Sequence, residues 1–454
     1  MDIRRTPCTL LLTALLAISL LVAGCDSVAP TADGPPPTNS DSTGVFSGSD
    51  SKVVYRHLFP MSAGDSARTD GMIIRFSDPT IRPNKFFRRY KFFRRFKFFR
   101  RFTFKRGFNG VAIAFKNKDM DDPKWRELLD RFLDKVPDDA DVESIAPDLN
   151  LRPNPPGKPE RPGAHKEEIV PWGVEHIGAT APLADDVHPV DLYVVDSGVQ
   201  SADRPVDEHL NLFGADSEDA TDGHGTHVAG IAAAVDNDTG VLGVAPMARV
   251  MSVKVFNDAG RAQASTIVAA LDSITARKRA HPEQPTVINL SLGANVGTAD
   301  YGPLDHAVER AIDAGAIVVT AAGNEGVDAA EVTPAHVEPA ITVGAFDETG
   351  AFASFSNHGP LVDLLAPGVN VLSLKPPRSA NGNGNGNGQQ KVELDAMTGT
   401  SMAAPHVAGA AVRYLASHPQ ATPQQVRDAL VEAARSDVDN TPARTTNRSV
   451  WVGE

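Results

Sequence analysis

Residues 286–324 read TVINLSLGANVGTADYGPLDHAVERAIDAGAIVVTAAGN, and this stretch decides the fold. Thr286–Gly293 and Ala316–Asn324 are short, Val/Ile-rich runs of the kind found in parallel strands buried on both faces. Leu304–Gly315 between them reads as a helix. Outward from this unit the alternation continues. DLYVVDSG (191–198), ARVMSVKVF (248–256) and AITVGAF (340–346) are further buried strands; HGTHVAGIAAAV (224–235) and TIVAALDSITARKRA (266–280) are helices. The pattern predicts an α/β, doubly wound, mostly parallel sheet with helices on both faces. In such folds ligands bind beyond the carboxyl ends of the strands, so chemistry is sought there.

The 454 residues are enough for two domains and tails, and 41% hydrophobic with 22% charged residues is a globular composition. The net charge of -13 is unevenly spread: residues 170–454 carry -19 and residues 1–169 carry +6. Two segments of opposite sign suggest two domains that attract each other. The acidity of the larger one argues against nucleic acid as a partner.

Residues 1–24 read as an address: Arg4 and Arg5, an apolar run Leu10–Val22, then small residues. The run is short for a transmembrane helix. It ends in LVAGC, which resembles the lipobox of bacterial lipoproteins; that resemblance implies cleavage before Cys25 and a lipid on its sulfur. Cys8 leaves with the signal, so no intramolecular disulfide is expected. Residues 25–52, rich in Pro, Gly, Ser and Thr, read as a disordered tether.

A compact segment, 53–152, follows. GMIIRF (71–76) and NGVAIAF (109–115) read as strands, PKWRELLDRFLDKV (123–136) as an amphipathic helix opened by Pro, and VESIAPDLNL (142–151) closes the segment. Between the first two strands lies a hexad repeat, KFFRRY-KFFRRF-KFFRRF (85–102). Six residues advance a helix by about 600°, so no fixed apolar face results, and as a strand Phe and Arg land on both faces. The expectation is a repeat expansion in a tolerant loop; the competing reading is a cationic-aromatic arm for an anionic membrane. A Pro-rich linker, 153–168, precedes the larger domain, read as 169–446 with a tail at 447–454.

Three motifs carry chemistry. Asp196 ends DLYVVDSG, His224 opens a helix in TDGHGTHVAG, and Ser401 opens the last long helix in MTGTSMAAPHVAG. Peptide hydrolysis needs a nucleophile, a base, and a carboxylate that holds the base in one tautomer. A serine at a helix start also gains from free backbone N–H groups that can stabilise an oxyanion. His224 and His227 could instead be a metal pair, but no carboxylate or third ligand stands at the spacing of zinc helices.

Taken together in the order Asp, His, Ser, the motifs closely resemble the subtilisin family, over Val170 to about Leu430. The resemblance implies a serine endopeptidase with Asp196 orienting, His224 as general base, Ser401 as nucleophile and His227 structural. It implies that the side chain of Asn324, in AAGNEG, donates to the oxyanion. Ser291, Leu292 and Gly293, with Gly260 and its neighbours, would pair with substrate backbone, and Glu325 would sit at the rim of the primary pocket. Ala264 stands at an outer subsite, and broad specificity is expected. No organic cofactor is implied. DNDTGVLGVAP (236–246) resembles the family's calcium loop, implying ligands from the carbonyls of Val235, Thr239 and Val241 and the side chain of Asn237. Where relatives carry a further Asp, DEHLNL places His209, with Asp207 or Glu208 as substitutes.

Residues 53–152 resemble, in order but loosely, the inhibitory propeptide of the same family, a small α+β domain that chaperones folding. VPWGVEHIGA resembles the mature start, which implies processing between Arg161 and Ile169. The insertion NGNGNGNG (381–388) departs from the family. The whole reads as a precursor located at the bacterial cell envelope through Cys25, with release of the catalytic domain outside. Its partners are then protein substrates and its own propeptide. Two other readings stay open: a non-catalytic surface binding protein on a protease scaffold, and ester hydrolysis as a side activity.

Overall fold

The structure, a computed structural model, describes residues 53–54, 69–153 and 168–453, with breaks at 79, 91, 94–97, 105–108, 116–122, 137–138, 140, 183–186, 202, 213–222, 258–259, 299–300 and 378–391. The signal, Cys25, the tether, nearly all of the linker and the NGNGNGNG insertion lie outside the described residues. Among those described, no helix is long and apolar enough to cross a membrane.

The N-terminal part contains β1 (Thr69–Phe76), α1 (Pro83–Arg89), β2 (Phe98–Phe104), β3 (Gly110–Phe115), α2 (Pro123–Lys135) and β4 (Val142–Pro153). Its strands pair antiparallel in the order β2-β3-β1-β4. The hexad repeat is not a tolerant loop. Its first copy lies in α1, which starts with Pro83 and places Arg88 and Arg89 in the last turn, where they complement the helix dipole. Its third copy opens β2. Phe86, Phe87, Phe92 and Phe93 are buried in one cluster with Phe76, Phe115, Leu129 and Phe132. Phe92 stacks on Phe132 with centroids 5.1 Å apart, and Phe87 meets Phe98 edge-on at 4.8 Å. A period sought along one helix or one strand fails because no single element contains the repeat. The copies supply aromatic rings to a shared core from helical residues, Phe86, Phe87, Phe92 and Phe93, and from a strand, Phe98.

The larger part follows the predicted alternation: α3 (Trp172–His176), β5 (Asp191–Asp196), β6 (Glu208–Asn211), α4 (His224–Ala233), β7 (Arg249–Lys254), β8 (Ala262–Gln263), α5 (Ala264–Ala280), β9 (Thr286–Leu290), β10 (Leu292–Asn295), α6 (Pro303–Asp313), β11 (Ile317–Ala321), β12 (Val332–Thr333), β13 (Ile341–Phe346), β14 (Leu364–Pro367), β15 (Val371–Lys375), β16 (Glu393–Met397), α7 (Thr400–Ser417), α8 (Pro423–Ala433), β17 (Arg435–Ser436) and β18 (Arg448–Ser449). The main sheet runs β17-β18-β14-β13-β11-β9-β5-β7-β6, and only the β17–β18 edge is antiparallel. Its central strands β5, β9, β11 and β13 are buried along their whole length, as continuous apolar runs require. One face packs on α4 and α7, the other on α5 and α6. Residues 447–454, read as a tail, are instead part of the domain. Ser449 pairs with Leu365, and Val452 donates its N–H to the Ile177 carbonyl at 2.9 Å.

Two histidines sit inside these helices. His227 on α4 is fully buried with Nε2 3.1 Å from the Asp395 carbonyl oxygen, and burial lowers its pKa to about 3. His406 on α7, also fully buried, is lowered to about 4 for the same reason. Both fold neutral and become charged below a pH of about 6.5 when unfolded. Their contribution is therefore complete above about 6.5 and is lost as the pH falls through the folded values. In the Ser401→Ala protein, the difference in Tm between parent and a His227→Gln variant should shrink from pH 6.5 to pH 4. A difference independent of pH would show that His227 does not titrate on unfolding.

Candidate active site

The three candidate catalytic side chains stand at the ends of β5, α4 and α7. Asp196 is the last residue of β5 and has no solvent exposure. His224 is the first residue of α4. Its Nδ1 lies 2.8 and 3.0 Å from the two carboxylate oxygens of Asp196. One of those oxygens also accepts from the Ser197 N–H at 2.7 Å. A carboxylate so held fixes the ring with its proton on Nδ1, leaving Nε2 to act as the base. Gly225 is required for the approach: a Cβ there would stand 2.4 Å from the Gly198 carbonyl and 3.1 Å from the Asp196 Cβ.

Ser401 lies in the first turn of α7, and its position follows from a proline. Pro405 has no N–H to give the carbonyl four residues before it, which is that of Ser401. Ser291, just before β10, fills the vacancy by donating its hydroxyl to the Ser401 carbonyl at 2.9 Å, and is itself held by the Asn289 amide at 2.9 Å. In return the Ser401 hydroxyl donates to the Ser291 carbonyl at 3.1 Å. The nucleophile is thus parked against the strand that borders the cleft.

Asn324 follows β11. Its Oδ1 accepts from the N–H of Thr400 at 2.8 Å and from its hydroxyl at 2.9 Å. Because a backbone N–H can only donate, this fixes the amide orientation and leaves Nδ2 as the free donor. Nδ2 is buried and has no hydrogen-bond partner. A buried donor left unmade is costly in the resting protein and available when an oxyanion forms. Glu325 is exposed at the rim, its carboxylate accepting from the Asn324 N–H and from Asn357, both at 2.9 Å. Gly323, at φ +107, leaves room for Asn357, whose Nδ2 would lie 2.2 Å from an added Cβ. Thr400, the Ser291 hydroxyl and Asn357 were not singled out in the sequence; only the first is hinted at, by its place beside Ser401.

The cleft is occupied by the chain itself. Residues of β4 pair antiparallel with β8 on one side, Asn150 with Gln263 and Leu151 with Ala262, and with β10 on the other, Arg152 with Gly293 and Pro153 with Leu292. Leu292 and Gly293, expected to pair with substrate backbone, here pair with residues of the same chain. Gly260 does not: it closes a turn at φ +63 by donating its N–H to the Asn257 carbonyl, and the pairing strand begins at Ala262. Ala264 is buried at the start of α5.

At the far end of α4, the segment Val235–Val241 closes around one carboxylate. That group is Asp203, not His209, Asp207 or Glu208. Asp207 caps the Val250 N–H, Glu208 pairs with Arg277, and His209 lies in the edge strand β6. One oxygen of Asp203 accepts from Asn237 at 2.9 Å and Thr239 at 3.3 Å, while the other is buried with no partner. Glu168 joins from the linker end, accepting from the Asn237 N–H at 3.0 Å, and burial raises its pKa, with Asp236, Asp203 and Asp238 adding to the rise. Ile169 bridges to Val241 beside it. The orphaned carboxylate oxygen is a hard ligand of the kind a calcium ion takes, while the Asn237 amide turns its nitrogen to Asp203 and its oxygen to Thr239. Among the described residues no three His, Cys, Asp or Glu side chains converge as a metal site, so the backbone carbonyls would have to complete the set.

Comparison with known proteins places this geometry. Residues 190–450 match the subtilase family, peptidase S8. The chain is 37% identical over 276 residues to subtilisin E of Bacillus subtilis, covering 59% of this chain and 66% of that one, just under two thirds of its length. It is 37% identical to a subtilisin of Bacillus pumilus, of which 92% is covered. A cold-adapted subtilisin-like serine proteinase of known structure is 29% identical, covering 63% of this chain and 98% of that chain, with a TM-score of 0.49. With a nucleophile opening α7, a base held by a buried carboxylate and an oriented amide beside them, the chain belongs to the subtilase family of serine endopeptidases.

Proposed function

We propose that the chain is the secreted, lipid-anchored precursor of an endopeptidase of broad specificity, silenced by its own residues 53–152 and matured by self-cleavage. The observation that carries this reading is the seating of residues 150–153 between β8 and β10, in the cleft beside Ser401. A substrate recognised as an added strand contributes mainly backbone hydrogen bonds, which tolerate many side chains. In the reaction, Ser401 attacks the scissile carbonyl while His224 takes its proton. The amide of Asn324 and the N–H groups opening α7 stabilise the oxyanion; His224 gives its proton to the leaving amine as the C–N bond breaks, and water activated by His224 then hydrolyses the acyl-enzyme and frees Ser401.

The processing point read between Arg161 and Ile169 begins eight residues past Pro153. A cut there falls beyond the segment seated in the cleft. It is therefore made by a second molecule or after the strand has left. The docking of Glu168 and Ile169 on the Asn237–Leu242 loop supports a mature chain that starts close to this point. Calcium is the ion proposed for that loop, held by Asp203, the side chain of Asn237 and the carbonyls of Val235, Thr239 and Val241, with Glu168 beside them. It would supply stability rather than chemistry.

Ser401→Ala should leave the precursor uncut in a protease-free host and lower turnover about 10⁶-fold, the cost known for the subtilisin nucleophile. Asn324→Ala should lose about 10²–10³ in kcat, again a subtilisin magnitude, and keep a residual rate. Maturation of the Ser401→Ala chain in that host would overturn self-cleavage. Excess chelator should lower Tm, because an ion bound only by the native state stabilises it by mass action; an unchanged Tm would remove calcium. Since the lipid at Cys25 precedes the processing point, cleavage severs the covalent tie to the membrane. Cell fractionation with antibodies to each half should find the catalytic domain soluble. Active catalytic domain still joined to the lipidated N-terminus would overturn the release.

A further inference from the structure

The hexad repeat plays no part in catalysis, yet its third copy reaches the catalytic domain. In β2 the pairing with β3 runs Arg100 with Ile113 and then Phe102 with Ala112, so Arg101 is the extra residue of a bulge. A bulge switches the face of the residues that follow it. Phe98 packs into the N-terminal core, whereas Phe102 and Phe104, of the same parity, pack in the cluster that contains Ile267, Val268 and Leu271 of α5. At the switch, Arg101 reaches the carboxylate of Asp148, with Nη1 2.6 Å from Oδ2.

Asp148 lies on β4, two residues before the segment seated in the cleft, and has no solvent exposure. Its two oxygens also accept the Ser265 N–H at 2.9 Å and the Ser265 hydroxyl at 2.7 Å. Ser265 is the second residue of α5, and α5 has no side-chain cap of its own, since Gln263 makes none. Asp148 thus supplies an N-terminal cap from another domain. A lone carboxylate in that place would be costly, and burial does push its carboxyl up against the pull of Arg101. Tyr301, fully buried, clamps the same strand by donating its hydroxyl to the Pro147 carbonyl at 2.5 Å.

We infer that the third KFFRR copy anchors the inhibitory strand: the bulge delivers Arg101 to Asp148, and the buried pair holds Asp148 on the first turn of α5 so that residues 150–153 stay in the cleft. The partner of this surface of the repeat is the chain's own acidic catalytic domain. The inference rests on the reading of residues 53–152 as an inhibitor.

Hydrogen exchange of the full-length Ser401→Ala precursor tests it, read at β4 and at the N-terminus of α5. Arg101→Met should speed exchange at both by roughly a hundredfold, as breaking one side of a buried pair does, with β9 and β11 unchanged. Arg101→Lys, which keeps the charge, should have a smaller effect and serves if the Met variant does not fold. Adding Asp148→Asn to Arg101→Met should recover part of the loss, because no unpaired charge then remains. Arg88→Met, at an exposed position of the first copy, should change nothing. Equal effects of Arg88→Met and Arg101→Met would reduce the contact to general charge attraction, and no effect of Arg101→Met would overturn it. In the Ser401 background, Arg101→Met should shorten the lag before activity appears. A wild-type precursor active before any cleavage would instead overturn the inhibitory reading, whatever the exchange rates show.

Discussion

The active site depends on how the first turn of α7 is pinned. Helix starts leave backbone groups without partners, and here two residues of the turn are tied to two different strand ends. The carbonyl of Ser401, released by Pro405, is taken by Ser291 from the start of β10. The N–H and hydroxyl of Thr400 are taken by Asn324 from the end of β11. The nucleophile, the wall of the cleft and the oxyanion donor are therefore fixed to one another by hydrogen bonds made to a single helical turn. The Asn324 amide is thereby oriented before substrate arrives.

The same edges that receive substrate make the cleft vulnerable. β8 and β10 present unpaired backbone groups across an open gap, and such edges recruit whatever strand is available. In this chain the strand is β4, which continues the N-terminal antiparallel sheet through the cleft to β12. Two lone strand edges become one sheet spanning both domains. The shared hydrophobic cluster, with Ile73, Ala146 and Leu149 against Val268, Leu292 and Leu304, buries the apolar faces that either domain would expose alone.

Ion pairs within each part contribute in two physically different ways. Exposed pairs such as Arg277 with Glu208 are screened and contribute little. The Arg101–Asp148 pair is dry, so its value lies in specificity: it is tolerated only when β2, β4 and α5 are all in register. The buried pair thereby favours one arrangement of β2, β4 and the first turn of α5.

Much of this was legible in the sequence. Strand and helix alternation and the element-end positions of Asp196, His224, Ser401 and Asn324 follow from local patterns: a buried parallel strand is written as a continuous apolar run, and a helix start by its own few residues. What only the tertiary structure decided involves groups far apart in the chain that meet through packing. Asp203 rather than His209 faces the Asn237 loop, because His209 is held in the edge strand β6. Gly260 yields to Ala262 because its backbone is spent in a turn. The KFFRR repeat has no period because its copies enter different elements, and one of its arginines becomes the counter-ion of a carboxylate 47 residues away. Local sequence encodes conformation and the chemistry of single side chains; which charge is buried beside which, and which edge is covered by which strand, is settled only when the two domains share one core.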